Sequence, residues 1–439
     1  MNPIRQLCLQ SVAAGFVLLG AAAALAQPLP VANPESVGMS SARLGKITAV
    51  FKQEVADKKL PGAVVMVARK GKLVYSEAFG SLNNAAGAPM KTDSMFRIYS
   101  MTKPLVSTAL MILVEDGKVQ LTDPVSKFLP AFKNPMVSAP TLDPVFNGAS
   151  YKLVPANREP NIQDLLRHTS GIAYGELTKN ALVRDAYIKA GVYKPDFDFD
   201  ARGMSGAEMA DRLGKAPLAQ QPGTTWEYSL SVDVQGRVIE AVTGQRLADF
   251  MQERLFNPLK MGDSGFHVPA AKAARLAEPF AKDPQTGNDN KLIDVSRVPG
   301  NDSGGAGGVS TASDYLRFCQ AMLNGGQLDG VRILSRTTAT LMASDHLGSA
   351  INTTFNPGML LMGTQGYTFG LGFMVRQSDG IAAVHGTAGE FMWAGYAGTF
   401  FWAEPKEQIC AVYMTQAPSP LRAYYRKLMK DLVAQSIVD

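Results

Sequence analysis

Strand-like segments stand at the two ends of this 439-residue chain, and the long stretch between them reads as helices and loops. Near the start, residues 63–68 and 73–78 are runs of small and β-branched residues on either side of Lys70-Gly71, a hairpin signature. Near the end, residues 368–376, 394–402 and 409–415 have strand character, and residues 421–438 carry a helical pattern. In between, residues 123–223 are rich in Pro, Gly and Asn, and helical stripes return at 232–242 and 247–259. A hairpin cannot bury its apolar face alone, so the economical solution is one sheet closed from both ends of the chain. The expected fold is therefore α+β, an α/β sandwich. Its antiparallel sheet draws on about 60–80 and 366–416, flanked by helices, with a mainly helical insertion at about 123–330. Hydrophobic residues make up 46% of the chain, enough for a substantial core, and no internal repeat or low-complexity linker divides it.

The formal charge of +5 arises from 43 basic and 38 acidic residues that are well interspersed. No basic block or aromatic-basic stripe points to nucleic acid. Residues 1–26 read as an export signal: Arg5 supplies the charge, residues 12–25 the apolar run, and Ala24-Leu25-Ala26 the small residues before Gln27. That run is shorter than the ~20 residues of a spanning helix. The expectation is an exported protein, periplasmic or secreted, comprising residues 27–439, with no membrane insertion after cleavage. Cys319 and Cys410 then remain, and are expected as buried small hydrophobes rather than a bridge. The four histidines are scattered and no Cys/His group has metal-ligand spacing, so neither a metal nor another cofactor is expected.

The chemistry concentrates at Phe96-Arg97-Ile98-Tyr99-Ser100-Met101-Thr102-Lys103-Pro104. A serine hydroxyl needs a base before it becomes a nucleophile. Residues three apart share a helical face, which puts Lys103 above Ser100. Pro104 is tolerated in a first helical turn, so a helix is expected to begin at about Ser100, where free N–H groups favour a developing anion. About one Ser-x-x-Lys is expected by chance in a chain this long, so the tetrapeptide needs support from elsewhere. His168 lies in Leu165-Leu166-Arg167-His168-Thr169-Ser170-Gly171, where a helix gives way to a turn, and is expected to cap carbonyls. The glycines of Gly304-Gly305-Ala306-Gly307-Gly308 lack the lysine of a phosphate loop and are expected to form a tight loop feeding a helix at 312–324.

Taken together, Ser100-Met101-Thr102-Lys103, the 165–171 segment and Gly305-Ala306-Gly307-Gly308-Val309-Ser310-Thr311 resemble the serine β-lactamase and penicillin-binding-protein superfamily. The resemblance is to its class C-like branch, closest to family VIII carboxylesterases, and runs from about Val31 to the C-terminus. It implies a tyrosine motif, matched by Tyr228-Ser229-Leu230, with Tyr228 sharing the proton of Ser100 with Lys103. Leu230 stands where many relatives have asparagine. A third motif is Lys-Thr-Gly in β-lactamases and often Trp-Gly-Gly in the esterases. His385-Gly386-Thr387 and Trp393-Ala394-Gly395 both qualify, and the second is preferred because it opens the strand-like run at 396–402. A lysine there can grip a substrate carboxylate, whereas Trp393 offers an apolar face suited to a neutral ester.

The resemblance further implies substrate contacts at Trp393, Ala394, Gly395 and Tyr396, and an oxyanion hole from the backbone N–H groups of Ser100 and Tyr396. The expected activity is hydrolysis of small-molecule carboxylic esters through an acyl-enzyme on Ser100, with amides and β-lactams left open. Whether Lys103 or Tyr228 is the operative base stays open at this point, as does oligomeric state. The alternatives are a β-lactamase or D-alanyl-D-alanine carboxypeptidase, and a non-catalytic ligand-binding relative.

Overall fold

The computed structural model describes residues 28–142, 149–195, 203–353 and 356–439. The expected export signal lies outside these residues, Gln27 included.

An eight-stranded antiparallel sheet forms the centre. Its order is Tyr367–Phe369, Met374–Arg376, Phe391–Ala394, Phe400–Glu404, Ile409–Thr415, Gly62–Arg69, Lys72–Asn83 and Ala88–Pro89. The chain ends meet where Gly62–Arg69 pairs with Ile409–Thr415, from Ala63 opposite Thr415 to Arg69 opposite Ile409. Gly62–Arg69 is buried along its whole length, because helices cover both faces of the sheet there. On one face the helices Ser41–Ala56 and Arg422–Ala434 pack together, with Phe51 against Phe79, Tyr413 and Tyr425. On the other the helix Ala312–Leu323 lays Tyr315 and Phe318 on Phe401. Lys70 and Gly71 take positive φ values of 53° and 74°, the pairing that a tight two-residue hairpin needs.

Three expectations change. Residues 368–376 are two short strands, because Gly372 turns the chain at φ 98° and Gly370 packs where a Cβ would meet the Met342 carbonyl at 2.1 Å. The run 394–402 is likewise broken. Phe391–Ala394 ends at Ala394, and Phe400–Glu404 starts after a turn in which Gly398 has φ 101°. Aromatic residues on both sides of that turn hide it from pattern reading. Trp393-Ala394 thus closes a strand instead of opening one. The middle of the chain also holds an antiparallel hairpin, Met136–Leu142 with Ala149–Pro155, which its mixed composition did not announce. Cys319 and Cys410 are both buried and unbridged.

Candidate active site

Ser100 does not start the α-helix; it sits in a 3₁₀ turn, Tyr99–Met101, that leads into the helix Thr102–Glu115. Tyr99 enters that turn at φ 45°, a left-handed conformation that costs a non-glycine residue roughly 1–2 kcal/mol. It is held there from several sides. Its hydroxyl accepts from the Ile293 N–H at 2.9 Å, its carbonyl accepts from Thr102 Oγ1 at 2.6 Å, and its ring packs edge-on to Tyr396 at 5.4 Å. The outcome is a half-buried Ser100 presented at the mouth of a buried helix.

One turn on, Lys103 is 1% exposed. Its Nζ lies 3.3 Å from Ser100 Oγ, 2.9 Å from the Tyr174 hydroxyl and 2.7 Å from the Gly305 carbonyl. The Tyr228 hydroxyl reaches Ser100 Oγ at 2.7 Å. Lys103 Nζ is 4.6 Å from the centroid of the Tyr228 ring and 5.3 Å from that of Tyr174, so two electron-rich faces flank the cation. The structure therefore brings together Ser100, Lys103 and Tyr228, which are separated by up to 128 positions in sequence.

Two members of this cluster were not picked out from the sequence. Tyr174 lies three residues past the 165–171 segment and was not part of it; burial first, then Tyr228 and Asp233, push its phenol well above the ordinary range, so it stays protonated. Gly305 belongs to the glycine loop that helped carry the family resemblance but was given no role at the site. That loop is brought alongside by the pairing of Val309–Thr311 with Met95–Arg97, and by Gly308 N donating to Thr102 Oγ1 at 2.9 Å. Asp233 orients it further, accepting from Gly305 N at 3.1 Å and Ser303 Oγ at 2.6 Å. Added Cβ atoms on Gly305 and Gly308 would meet Asp233 Oδ2 at 2.3 Å and Thr102 Oγ1 at 2.6 Å, which is why side chains are missing there.

His168 corrects an expectation. Its backbone, at φ 58°, does end the helix Ile162–Leu166, with Thr169 N donating to the Asp164 carbonyl at 2.8 Å. The ring, however, caps no carbonyl. It is buried against Tyr228, Trp226 and Phe369, and its Nδ1 pairs with Ser229 Oγ at 2.9 Å. Burial and the charge of Lys103 hold this imidazole well below its usual pKa, so it is neutral.

Trp393 stands beside this group, with its ring 5.4 Å from both Tyr228 and Phe369. Ala394 is buried behind it, and Gly395 passes so close to the segment before Ser100 that a Cβ would meet the Ile98 carbonyl at 2.3 Å. Thr399 Oγ1 donates to that same carbonyl at 3.3 Å. The Tyr396 ring is half exposed, between Tyr99 and the Arg422 guanidinium. Among the described residues, neither the Ser100 nor the Tyr396 N–H donates to a protein acceptor. His385 lies elsewhere, paired with Asp431 at 2.6 Å.

This arrangement can hold a hydroxyl between a cation and a phenol next to an apolar wall. Comparisons with known proteins agree on its kind. Residues 47–434 match the family described as Beta-lactamase. Esterase EstB of Burkholderia gladioli is 34% identical over 390 residues, covering 83% of this chain and 88% of that protein. Lovastatin esterase of Penicillium rubens is 28% identical over 405 residues, covering 87% and 94%. Among solved structures, EstCE1, described as a hydrolase with promiscuous acyltransferase activity, superposes with a TM-score of 0.71 at 25% identity over 89% of this chain and 98% of that one. The chain is a family VIII esterase-like member of the serine β-lactamase superfamily.

Proposed function

We propose that the protein hydrolyses neutral carboxylic esters through an acyl-enzyme on Ser100. The observation that carries this reading is Ser100 Oγ lying between the Tyr228 hydroxyl at 2.7 Å and Lys103 Nζ at 3.3 Å. An ammonium has three N–H groups, and Lys103 faces three acceptors: Ser100 Oγ, the Tyr174 oxygen and the Gly305 carbonyl. With all three donors of its ammonium committed, Lys103 serves in this reading as the cation, and the Tyr228 oxygen, acting as a phenolate beside that cation, is the base. As Ser100 Oγ bonds to the ester carbon, its proton passes to Tyr228. The carbonyl oxygen becomes an oxyanion facing the N–H groups of Ser100 and Tyr396. Collapse breaks the C–O bond to the alcohol, which leaves with the proton from Tyr228. Water then attacks the acyl carbon, gives its proton to Tyr228, and Ser100 departs with that proton to release the acid.

The preference for a neutral ester rests on Trp393, a buried, uncharged indole that stands where a carboxylate-binding member of the superfamily has lysine, so this position offers a substrate carboxylate no cation. Trp226 and Phe369 are buried rings packed behind it, their centroids 5.6 Å apart. Relatives named esterases support the same reading.

Ser100→Ala tests it. The variant is expected to lose all turnover of a short-chain nitrophenyl ester, and the wild type to favour that ester over a chromogenic cephalosporin and a D-Ala-D-Ala peptide. Substantial ester turnover by the folded variant would refute the assignment.

We further propose that the protein is exported. The support is the charged and apolar N-terminal sequence before Gln27. Sequencing the mature N-terminus after expression of the full chain tests this: Gln27 as the first residue is expected, and retention of Met1 or Asn2 would contradict it.

A further inference from the structure

Arg426, on the helix Arg422–Ala434, is 6% exposed and forms no ion pair with a carboxylate among the described residues. Burying a guanidinium without a counter-charge is costly, and such groups are rare unless they serve a function. Its donors go to backbone: Nη1 to the Leu361 carbonyl at 2.8 Å and Nη2 to the Gly395 carbonyl at 3.1 Å. Its Nε–H has no acceptor among the described residues. The Gly395 carbonyl already accepts from Gly398 N at 3.2 Å within its own turn, so turn closure does not require the arginine.

The Gly395 carbonyl and the Tyr396 N–H belong to one peptide unit. We propose that Arg426 is a positioning residue for the oxyanion hole, its buried charge polarising the Gly395–Tyr396 peptide so that the Tyr396 N–H becomes a stronger and better-aimed donor. This rests on the reading of Tyr396 as an oxyanion donor. A hydrogen bond to the oxygen of an amide draws electron density from its nitrogen, and a donor that carries full charge does so more strongly. Orientation comes with it. Gly395 N donates to the Thr399 carbonyl at 2.8 Å, and Thr399 Oγ1 donates to the Ile98 carbonyl, two residues before Ser100. Arg422 completes the frame, with Nη1 donating to the Tyr396 carbonyl at 2.9 Å, Nε donating to the Ser419 carbonyl at 2.9 Å, and its guanidinium 4.8 Å from the Tyr396 ring centroid. The C-terminal helix thus presents one cation to the carbonyl on each side of the proposed donor.

The electrostatics agree with this placement. Burial, then repulsion from Arg422, pull the Arg426 guanidinium down to about 9, while Tyr413 and Tyr228 act in the opposite sense. It is a cation at neutral pH with no carboxylate paired to it among the described residues.

The test uses the full chain with Arg426→Met and Arg426→Gln, the second retaining an amide donor without charge. Each is compared with wild type for turnover of a nitrophenyl ester and for the carbonyl stretching frequency of an arylacryloyl group on Ser100. That frequency falls as the carbonyl accepts stronger hydrogen bonds. The expected result is about a tenfold loss of kcat with little change in KM, a fraction of the roughly hundredfold that a whole oxyanion donor is worth. The acyl carbonyl is expected to move to higher frequency in both variants. A purely structural arginine would lower the melting temperature and leave the frequency alone, so an unshifted carbonyl together with kcat within twofold of wild type in either folded variant overturns the proposal. If Ser100→Ala still turns over ester, or peptide mapping finds the acryloyl group away from Ser100, the serine-esterase reading falls instead.

Discussion

Tyr174 shows how much of this site depends on counting protons at single atoms. Its oxygen accepts one of the three Lys103 donors, and without it the ammonium has a proton free to rearrange. Tyr174→Phe is therefore expected to lower kcat about tenfold, the cost of one charge-assisted hydrogen bond, with KM nearly unchanged. Steady-state kinetics on a nitrophenyl ester measures this, and an unaltered kcat would remove Tyr174 from the proton inventory. His168 makes a complementary point. Three aromatic rings and a serine hydroxyl surround it, yet it is neutral and its Nε2 has no partner among the described residues. Sequence could name it as unusual, because a histidine after Leu165-Leu166 marks a helix end. It could not say that the ring would turn inward against Tyr228.

Two elements carry separable consequences. The turn between Phe391–Ala394 and Phe400–Glu404 approaches the segment before Ser100 so closely that only glycine fits at 395. Gly395→Ala would drive a methyl group against the Ile98 carbonyl and Thr399 Oγ1, both 2.3 Å from the added Cβ. The expected outcome is a folded protein whose kcat is lower by about a hundredfold or more, as for loss of an oxyanion donor. Circular dichroism beside kinetics reads both halves; wild-type turnover would show that the turn yields freely.

The helix Ala312–Leu323 carries a different liability in Asp314, whose pKa burial raises to about 7. Its Oδ2 accepts from Asp263 N and Ser264 Oγ, while Oδ1 has no partner among the described residues. A carboxyl that binds its proton more tightly folded than unfolded stabilises the fold below the unfolded value, near 4, and that contribution is lost as pH climbs to about 7. Asp314→Asn keeps the acceptor and removes the titration. Its melting temperature relative to wild type is expected to improve between pH 5 and pH 8; a pH-independent difference would place the carboxyl in an ordinary setting.

Across the whole molecule, the C-terminal helix serves as a clamp on the half of the sheet that carries Trp393. Lys430 donates to Glu390 Oε2 at 2.5 Å, and the other oxygen of Glu390 receives Tyr367 at 3.0 Å and Arg376 at 3.4 Å, all from buried side chains. Removing Lys430 leaves Glu390 Oε2 buried without its donor, while Arg376 still faces Oε1. Lys430→Met is accordingly expected to cost about 1.5–3 kcal/mol in denaturant-induced unfolding, the worth of one hydrogen bond to a charged group; a loss below about 0.5 kcal/mol would mark the network as dispensable.

What the sequence determined by itself was local or periodic. The small and β-branched runs at residues 63–68 and 73–78 specify strands, and Lys70-Gly71 specifies the hairpin between them. Three-residue spacing places Lys103 over Ser100, because a helical turn sets that contact whatever surrounds it. Only the tertiary structure decided which distant groups share Lys103. Tyr174, Gly305 and Tyr228 reach its ammonium through loops whose course follows from packing, and packing leaves no signature in the order of residues. The same holds for Arg426. A single arginine in an amphipathic helix looks like surface until the sheet edge it covers closes over it, and burial then turns an ordinary charge into one that must act on its neighbours.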